Sequence, residues 1–269
     1  MFEIVKGEKI GKVLFIVEGN KTEPNLIYKL FCGIYGYQME RIRGDPDNPD
    51  YKIYHKQSDP DSRVIVVNAK SSNISSLGQS ADAEEYLDAL FDLLVDKYAL
   101  DIDNAAIYYL FDRDPKSNTN AQFIEGMLKR FYNARENLEG LRQGLLLLSY
   151  PCIESFTAMN LLDDSLSYCW NRHISIGHDL KQALDNDKKL PNHIGESTLL
   201  HCAGELLTGL QAAGVDTEKE ALLNSFDAFA SPNRAVFDCQ EDCYRAQGAY
   251  GCLSLLCVAL LDLGLIRII

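Results

Sequence analysis

The stretch Lys12–Asn25, K-V-L-F-I-V-E-G-N-K-T-E-P-N, decides the fold. Its apolar run from Val13 to Val17 is rich in β-branched residues and too short for a helix, so it reads as a buried strand. The run stops at Glu18-Gly19, and Gly19 permits a tight backbone turn. Thr22 then stands as an N-cap and Pro24 fits the first turn of a helix. The result is a strand–loop–helix unit with a carboxylate at the carboxyl end of the strand. In open α/β sheets that end is where ligands bind.

A second run of strand length, Ala105 to Phe111, ends at Asp112-Arg113-Asp114-Pro115. If both runs are parallel strands of one sheet, Glu18, Asp112 and Asp114 project from the same edge. Three carboxylates crowded there repel one another unless cations neutralise them. An oxygen-only ligand set suits a hard ion, Mg²⁺ or Mn²⁺.

These residues resemble a family. V-E-G-N-K-T-E-P-N followed by L-F-D-R-D is similar to the lone-Glu and Asp-x-Asp motifs of Toprim domains. The nearer likeness is to the RloB-like Toprim proteins of bacterial defence and restriction-associated loci. Those proteins carry an E-G-x-x-T-E-P-N start, a strand ending D-x-D and a later N-P-C-F-E motif. The third motif appears here as Ser149-Tyr150-Pro151-Cys152-Ile153-Glu154, with Tyr for Asn and Ile for Phe. The resemblance covers roughly residues 11 to 163. It implies a compact sheet bearing an acidic site, a nuclease activity, and an anti-phage role beside a separate ABC- or SMC-type ATPase. No Walker A motif occurs in this chain, so such an ATPase would be another polypeptide.

Outward from the two anchors the chain alternates. Leu26, Ile27, Leu30, Phe31 and Ile34 recur at helical spacing to about Tyr35. Residues 41 to 61 are rich in Asp and Pro and read as a long surface loop, enclosing at most a short strand at Lys52 to His55. Arg63 to Ala69 is a strand run, 70 to 80 a Ser/Asn-rich connection, and 81 to 98 an amphipathic helix. Ala121 to Glu139 reads as helix, Gly144 to Leu148 as strand, and Cys152 to Leu162 as helix after the break at Pro151. This β-α-β-α order predicts an α/β fold, Toprim-like and Rossmann-like, with a mostly parallel sheet and helices on both faces. After Asp163 strand signals stop. We therefore expect a catalytic domain over 1–163 and a helical C-terminal lobe over 164–269. The apolar end of the chain reads as a buried core helix, with a homodimer interface as the second reading.

In a metal site Asp112 and Asp114 would hold the ion, while Glu18 would either complete the coordination or act as general base. Glu23 and Glu154 are the candidates for a second ion. Lys21, Arg113 and Lys116 lie in the same loops and would face a scissile phosphate, with Lys116 joining the catalytic set. Each residue has a purely structural reading as well. Glu18, Glu23 and Glu154 suit positions beside helix N-termini, and Asp112 and Asp114 suit a turn with an N-cap.

Composition bounds the function. The chain has 269 residues, 46% hydrophobic, with a formal net charge of −13. That charge opposes a stand-alone, high-affinity binder of phosphate backbones and calls for a local basic patch or a partner. No run of about eighteen apolar residues exists, so no membrane span is expected. The N-terminus lacks the pattern of a signal peptide, which predicts a cytoplasmic protein with eight reduced thiols. The leading expectation is a Mg²⁺- or Mn²⁺-dependent nuclease acting on DNA or RNA. The alternatives are a non-catalytic Toprim-fold module that partners an ATPase, and a phosphohydrolase of small nucleotides.

Overall fold

A computed structural model describes residues 1–19, 21–40, 51–68, 100–116, 120–135, 144–187 and 193–269. The helix expected over 81–98 and the connection over 70–80 lie outside these residues.

The lead-in strand β1 (Phe2–Ile4) is followed by β2 (Lys12–Val17), in which Val13 through Val17 are wholly buried. Helix α1 (Thr22–Tyr28) runs on into a π-helical turn, Lys29–Ile34. Strands β3 (Gln38–Met39), β4 (Tyr51–Lys56) and β5 (Asp59–Asn68) come next, then β6 (Ala106–Asp112), α2 (Ala121–Arg130) and β7 (Leu145–Tyr150). Among the described residues α3 (Glu154–Leu161), α4 (Ser165–Arg172), α5 (Gly177–Asn186), α6 (Glu196–Ala212), α7 (Lys219–Ser225), which runs into a 3-10 turn at Phe226–Ala228, and α8 (Ala230–Gln247) follow. Strand β8 (Leu253–Ser254), helix α9 (Leu256–Asp262) and strand β9 (Ile266–Ile268) close the chain.

The main sheet has the order β3-β4-β5-β2-β6-β7-β8. Its centre, β5-β2-β6-β7, is parallel, and the pairs at both edges are antiparallel. This is an α/β fold with a mostly parallel, mixed sheet. Central parallel strands are covered on both faces, which is why β2, β6 and β7 are continuous apolar runs instead of alternating ones. Successive residues of β6 point to opposite faces. Tyr108 stacks on Phe15 at 5.4 Å and reaches Asp262 of α9, whereas Tyr109 packs on Phe131, just past α2, at 4.9 Å. Helices therefore cover both faces.

Three expectations are corrected. Of the loop expected over 41–61, residues 41–50 lie outside the described residues. The short strand at Lys52 to His55 is part of β4, and Asp59–Asp61 are the start of β5 and not loop, so the two strands form an antiparallel hairpin with a register shift at His55/Lys56. Strand structure does not end at Asp163, since β8 extends the sheet beside β7 and β9 pairs with β1. Residues on both sides of position 163, from Val13 to Ile266, share one buried core. Thr22 is not the N-cap of α1. Lys21 holds that position, without a side-chain cap, and Thr22 is the first helical residue. Among the described residues no helix is long and apolar enough to cross a membrane.

The order of the parallel strands positions the site. Strand β2 is first in sequence among them, yet it has β5 on one side and β6 on the other. The strand order thus reverses between β2 and β6. The crevice beyond their carboxyl ends is the switch point where such sheets bind ligands.

Candidate active site: a carboxylate cluster at the switch point

Glu18 follows β2 and Asp112 ends β6, and the two strands pair in parallel register with Val17 opposite Leu110. Adjacent strands ending together bring these carboxylates to one edge. Glu18 Oε2 accepts the backbone N–H of Asp112 at 3.1 Å.

Glu23 comes from the first turn of α1 and is only 4% exposed. It turns back so that Oε1 accepts the N–H of Gly19 at 2.8 Å. A Cβ on residue 19 would lie 2.2 Å from Glu23 Oε2, so glycine is what lets the carboxylate close over the loop. Burial pushes the Glu23 carboxyl above its usual range. Its own N–H and that of Gly19 oppose the shift, Glu154 adds to it, and Lys181 opposes it. Gly19→Ala should drive Glu23 off the Gly19 N–H and leave a buried carboxylate short of a donor. We expect a loss of about 1–3 kcal/mol, measured by urea unfolding.

Glu154, the last residue of the third motif, opens α3. It accepts a hydrogen bond from Thr22 Oγ1 at 3.4 Å and faces Lys181 of α5 at 3.6 Å. Asp112 lies among these groups. Desolvation raises its pKa well above the ordinary carboxylate range, and the charges of Glu23, Glu18 and Glu154, in that order, raise it further. The backbone N–H of Ile153 opposes the shift. Three carboxylates from three other segments thus interact electrostatically with Asp112.

The remaining sequence-derived candidates are placed differently. Asp114 Oδ2 accepts the N–H of Gly177 at the start of α5, at 3.1 Å, and Oδ1 accepts the N–H of Lys116 at 2.9 Å. It therefore ties the loop to α5, where its carboxylate faces the positive end of the helix. Lys116 is exposed, and its contribution to the loop is that backbone N–H. Lys21 is exposed at the head of α1.

The role expected for Arg113, facing a substrate phosphate, is corrected. Its side chain turns inward, 3% exposed, and its Nε pairs with Glu241 Oε1 of α8 at 2.9 Å. The guanidinium stands 5.8 Å from the Phe237 ring centre and 5.5 Å from that of Tyr250. Sequence reasoning missed Gly177, Lys181 and Glu241. All three come from helices beyond the motifs, and their approach depends on tertiary packing alone.

Among the described residues no group of three or more His, Cys, Asp or Glu side chains is arranged to hold a metal ion. The four carboxylates are nevertheless of the kind that hard divalent ions prefer. The buried Cys152 thiol, which bonds Glu154 and lies beside Asp112, keeps its proton because burial pushes its pKa up. As arranged, Glu18 and Glu23 lean on backbone N–H groups and Glu154 on a hydroxyl and a lysine, instead of converging on one point.

No protein-family model matches this sequence, and no curated protein or solved structure matches it either.

Proposed function

We propose that this protein is a divalent-cation-dependent phosphodiesterase of Toprim type, acting on nucleic acid. The observation that carries the reading is Asp112, desolvated at a sheet switch point and pressed by three further carboxylates. A fold does not keep such mutual repulsion for stability, and strongly perturbed groups in a crevice mark functional sites.

Glu18 and Asp112 would hold Mg²⁺ or Mn²⁺, with Glu154 beside them. The ion, when bound, neutralises the cluster and polarises a phosphoryl oxygen. Glu23 is already fixed by Gly19 and holds its proton to higher pH than an ordinary carboxyl. That makes it the group suited to accept a proton from an attacking water. Lys181 and the exposed Lys21 are the cations beside the cluster that would meet phosphate oxygens. Asp114 holds the loop against α5 and takes no part in proton transfer. The anti-phage setting and the partner ATPase rest on the motif resemblance alone.

One observation favours a second reading, a Toprim-fold binding module without catalysis: Glu18, Glu23 and Glu154 each already have a donor within the protein. A single experiment separates the two. The purified protein is incubated with plasmid, linear duplex, single strands and total tRNA, in EDTA, Mg²⁺ or Mn²⁺. Cleavage that requires the cation is expected. Folded protein that neither cleaves nor binds Mn²⁺, by electron paramagnetic resonance titration, would overturn the phosphodiesterase and leave the module.

A further inference from the structure

We propose that the groove leading away from the carboxylate cluster along α1 is a track for a single nucleic-acid strand. An unpaired base would stack on Tyr28 and a phosphate would lie at Lys29. The proposal rests on the phosphodiesterase reading and names the form of its substrate.

The groove begins at the Thr22–Glu154 hydrogen bond, at the edge of the cluster. Its first section, about 240 Å³, lies between Thr22 and Asn25 of α1, Lys29 at the start of the π-turn, and Thr157 and Leu161 of α3. Both walls are single helical stripes. Positions 22, 25 and 29 are spaced by three and four residues, and so are 154, 157 and 161, so Glu154 heads the same stripe that forms the wall. Lys29, His193 and Ile194 also line a second hollow of about 640 Å³, which carries the groove past Tyr28, Cys32 and Gly33. The two hollows adjoin at Lys29, His193 and Ile194, and together they are on the scale of ordinary ligand sites, roughly 300–1,000 Å³.

Three features suit a single strand. Tyr28 is 47% exposed, an unusual position for a large ring, and offers a stacking platform. A duplex hides its base faces, so only an unpaired base can use that platform. Two cations lie along the path, Lys21 next to Thr22 at its head and Lys29 midway, with the His193 ring opposite, all exposed. The carboxylate that lines the wider hollow, Glu196, is neutralised by Lys6 at 2.6 Å. In a chain of net charge −13 this row is a local answer to the need for phosphate-binding cations. Finally, the helix widens into a π-turn at Lys29–Ile34, where the groove opens out. Such turns recur at functional sites.

The test is fluorescence anisotropy with a labelled twelve-nucleotide single strand, as DNA and as RNA, and with the matching duplex. EDTA prevents cleavage. Wild type should bind a single strand at least about ten-fold more tightly than the duplex. Tyr28→Ala should weaken single-strand binding about ten-fold. Lys29→Glu should weaken it by a similar factor and lower the salt slope by about 0.7. Lys219→Glu, the same charge change on the exposed face of α7, should leave binding as in wild type. Circular dichroism melts confirm that each variant folds. Equal binding by the Lys29 and Lys219 variants, or preference for the duplex, would overturn the proposal. Hydrolysis of bis(p-nitrophenyl) phosphate reports on the carboxylates without the groove. Strand binding without that hydrolysis would remove the proposed reaction and keep the groove. Hydrolysis without strand binding would remove the groove and keep the reaction.

Discussion

Asp112→Asn is expected to cut cation-dependent cleavage by about 10³-fold while making the cation-free protein more stable. The loss of activity follows from removing the charge at the centre of the cluster, an electrostatic contribution of the size seen when one preorganised group is deleted. The gain in stability follows from the same charge. Asp112 is desolvated and faces Glu23, Glu18 and Glu154, so its folded-state pKa lies above the unfolded value of about 3.9. Below about pH 4 both states hold the proton. As pH rises, the unfolded chain loses it first, and stability falls until pH passes the folded-state pKa, beyond which it stays level. Glu23 is shifted in the same direction and adds to the fall. Wild type in EDTA should therefore melt at progressively lower temperature as pH climbs from about 4, and Asp112→Asn should flatten that curve. Mn²⁺ should restore wild type at pH 8 and leave the variant unmoved. Should the variant melt below wild type at pH 8 in EDTA, Asp112 would be a structural hydrogen-bonding group and not a strained charge.

The backbone of this site was legible in the sequence, and its side-chain directions were not. Strands β2, β6 and β7 announce themselves because a central parallel strand is buried on both faces and needs apolar residues without interruption. Each motif follows such a run, so the edge where Glu18 and Asp112 meet can be placed from the order of residues alone. Strands β8 and β9, of two and three residues, are too short to carry a period, and Asp59-Pro60-Asp61 disguised the start of β5 as a loop. Side-chain direction is a different problem. Asp112 and Asp114 are two apart on one strand end, yet one faces the cluster and the other caps α5. The choice is made by Gly177, which brings its N–H to Asp114 and whose missing side chain lets α5 pack against Cys152, where a Cβ would lie 2.8 Å from that of the cysteine. No local spacing encodes that contact.

Arg113→Ala should destabilise the protein by about 3–5 kcal/mol, although the residue lies between two candidate site aspartates. Its guanidinium pairs with Glu241, whose side chain is 18% exposed, and Glu241 Oε1 also accepts the Tyr250 hydroxyl at 2.9 Å. Deleting the cation leaves a mostly buried carboxylate with one neutral donor, which is the costly way to break such a pair. The contacts with Phe237 and Tyr250 are lost as well. For a chain of this size a melting temperature lower by roughly 10 °C is expected. Arg113→Lys should recover little, because an ammonium cannot reproduce the planar contacts between two rings. The double variant Arg113→Met with Glu241→Leu should recover much of the stability, since removing both charges leaves no orphan. The decisive comparison is Glu241→Ala. If Arg113 acts by anchoring the Asp112 loop to α8, that change should lower kcat much as Arg113→Ala does, with KM for the substrate little changed. If Arg113 instead met a substrate phosphate, Arg113→Ala would raise KM, Glu241→Ala would not, and neither would lower the melting temperature so far. The geometry favours the anchor: Arg113 N–H donates to Ser149 O on β7 at 2.8 Å, so backbone and side chain are both committed to the protein on either side of the carboxylates they position.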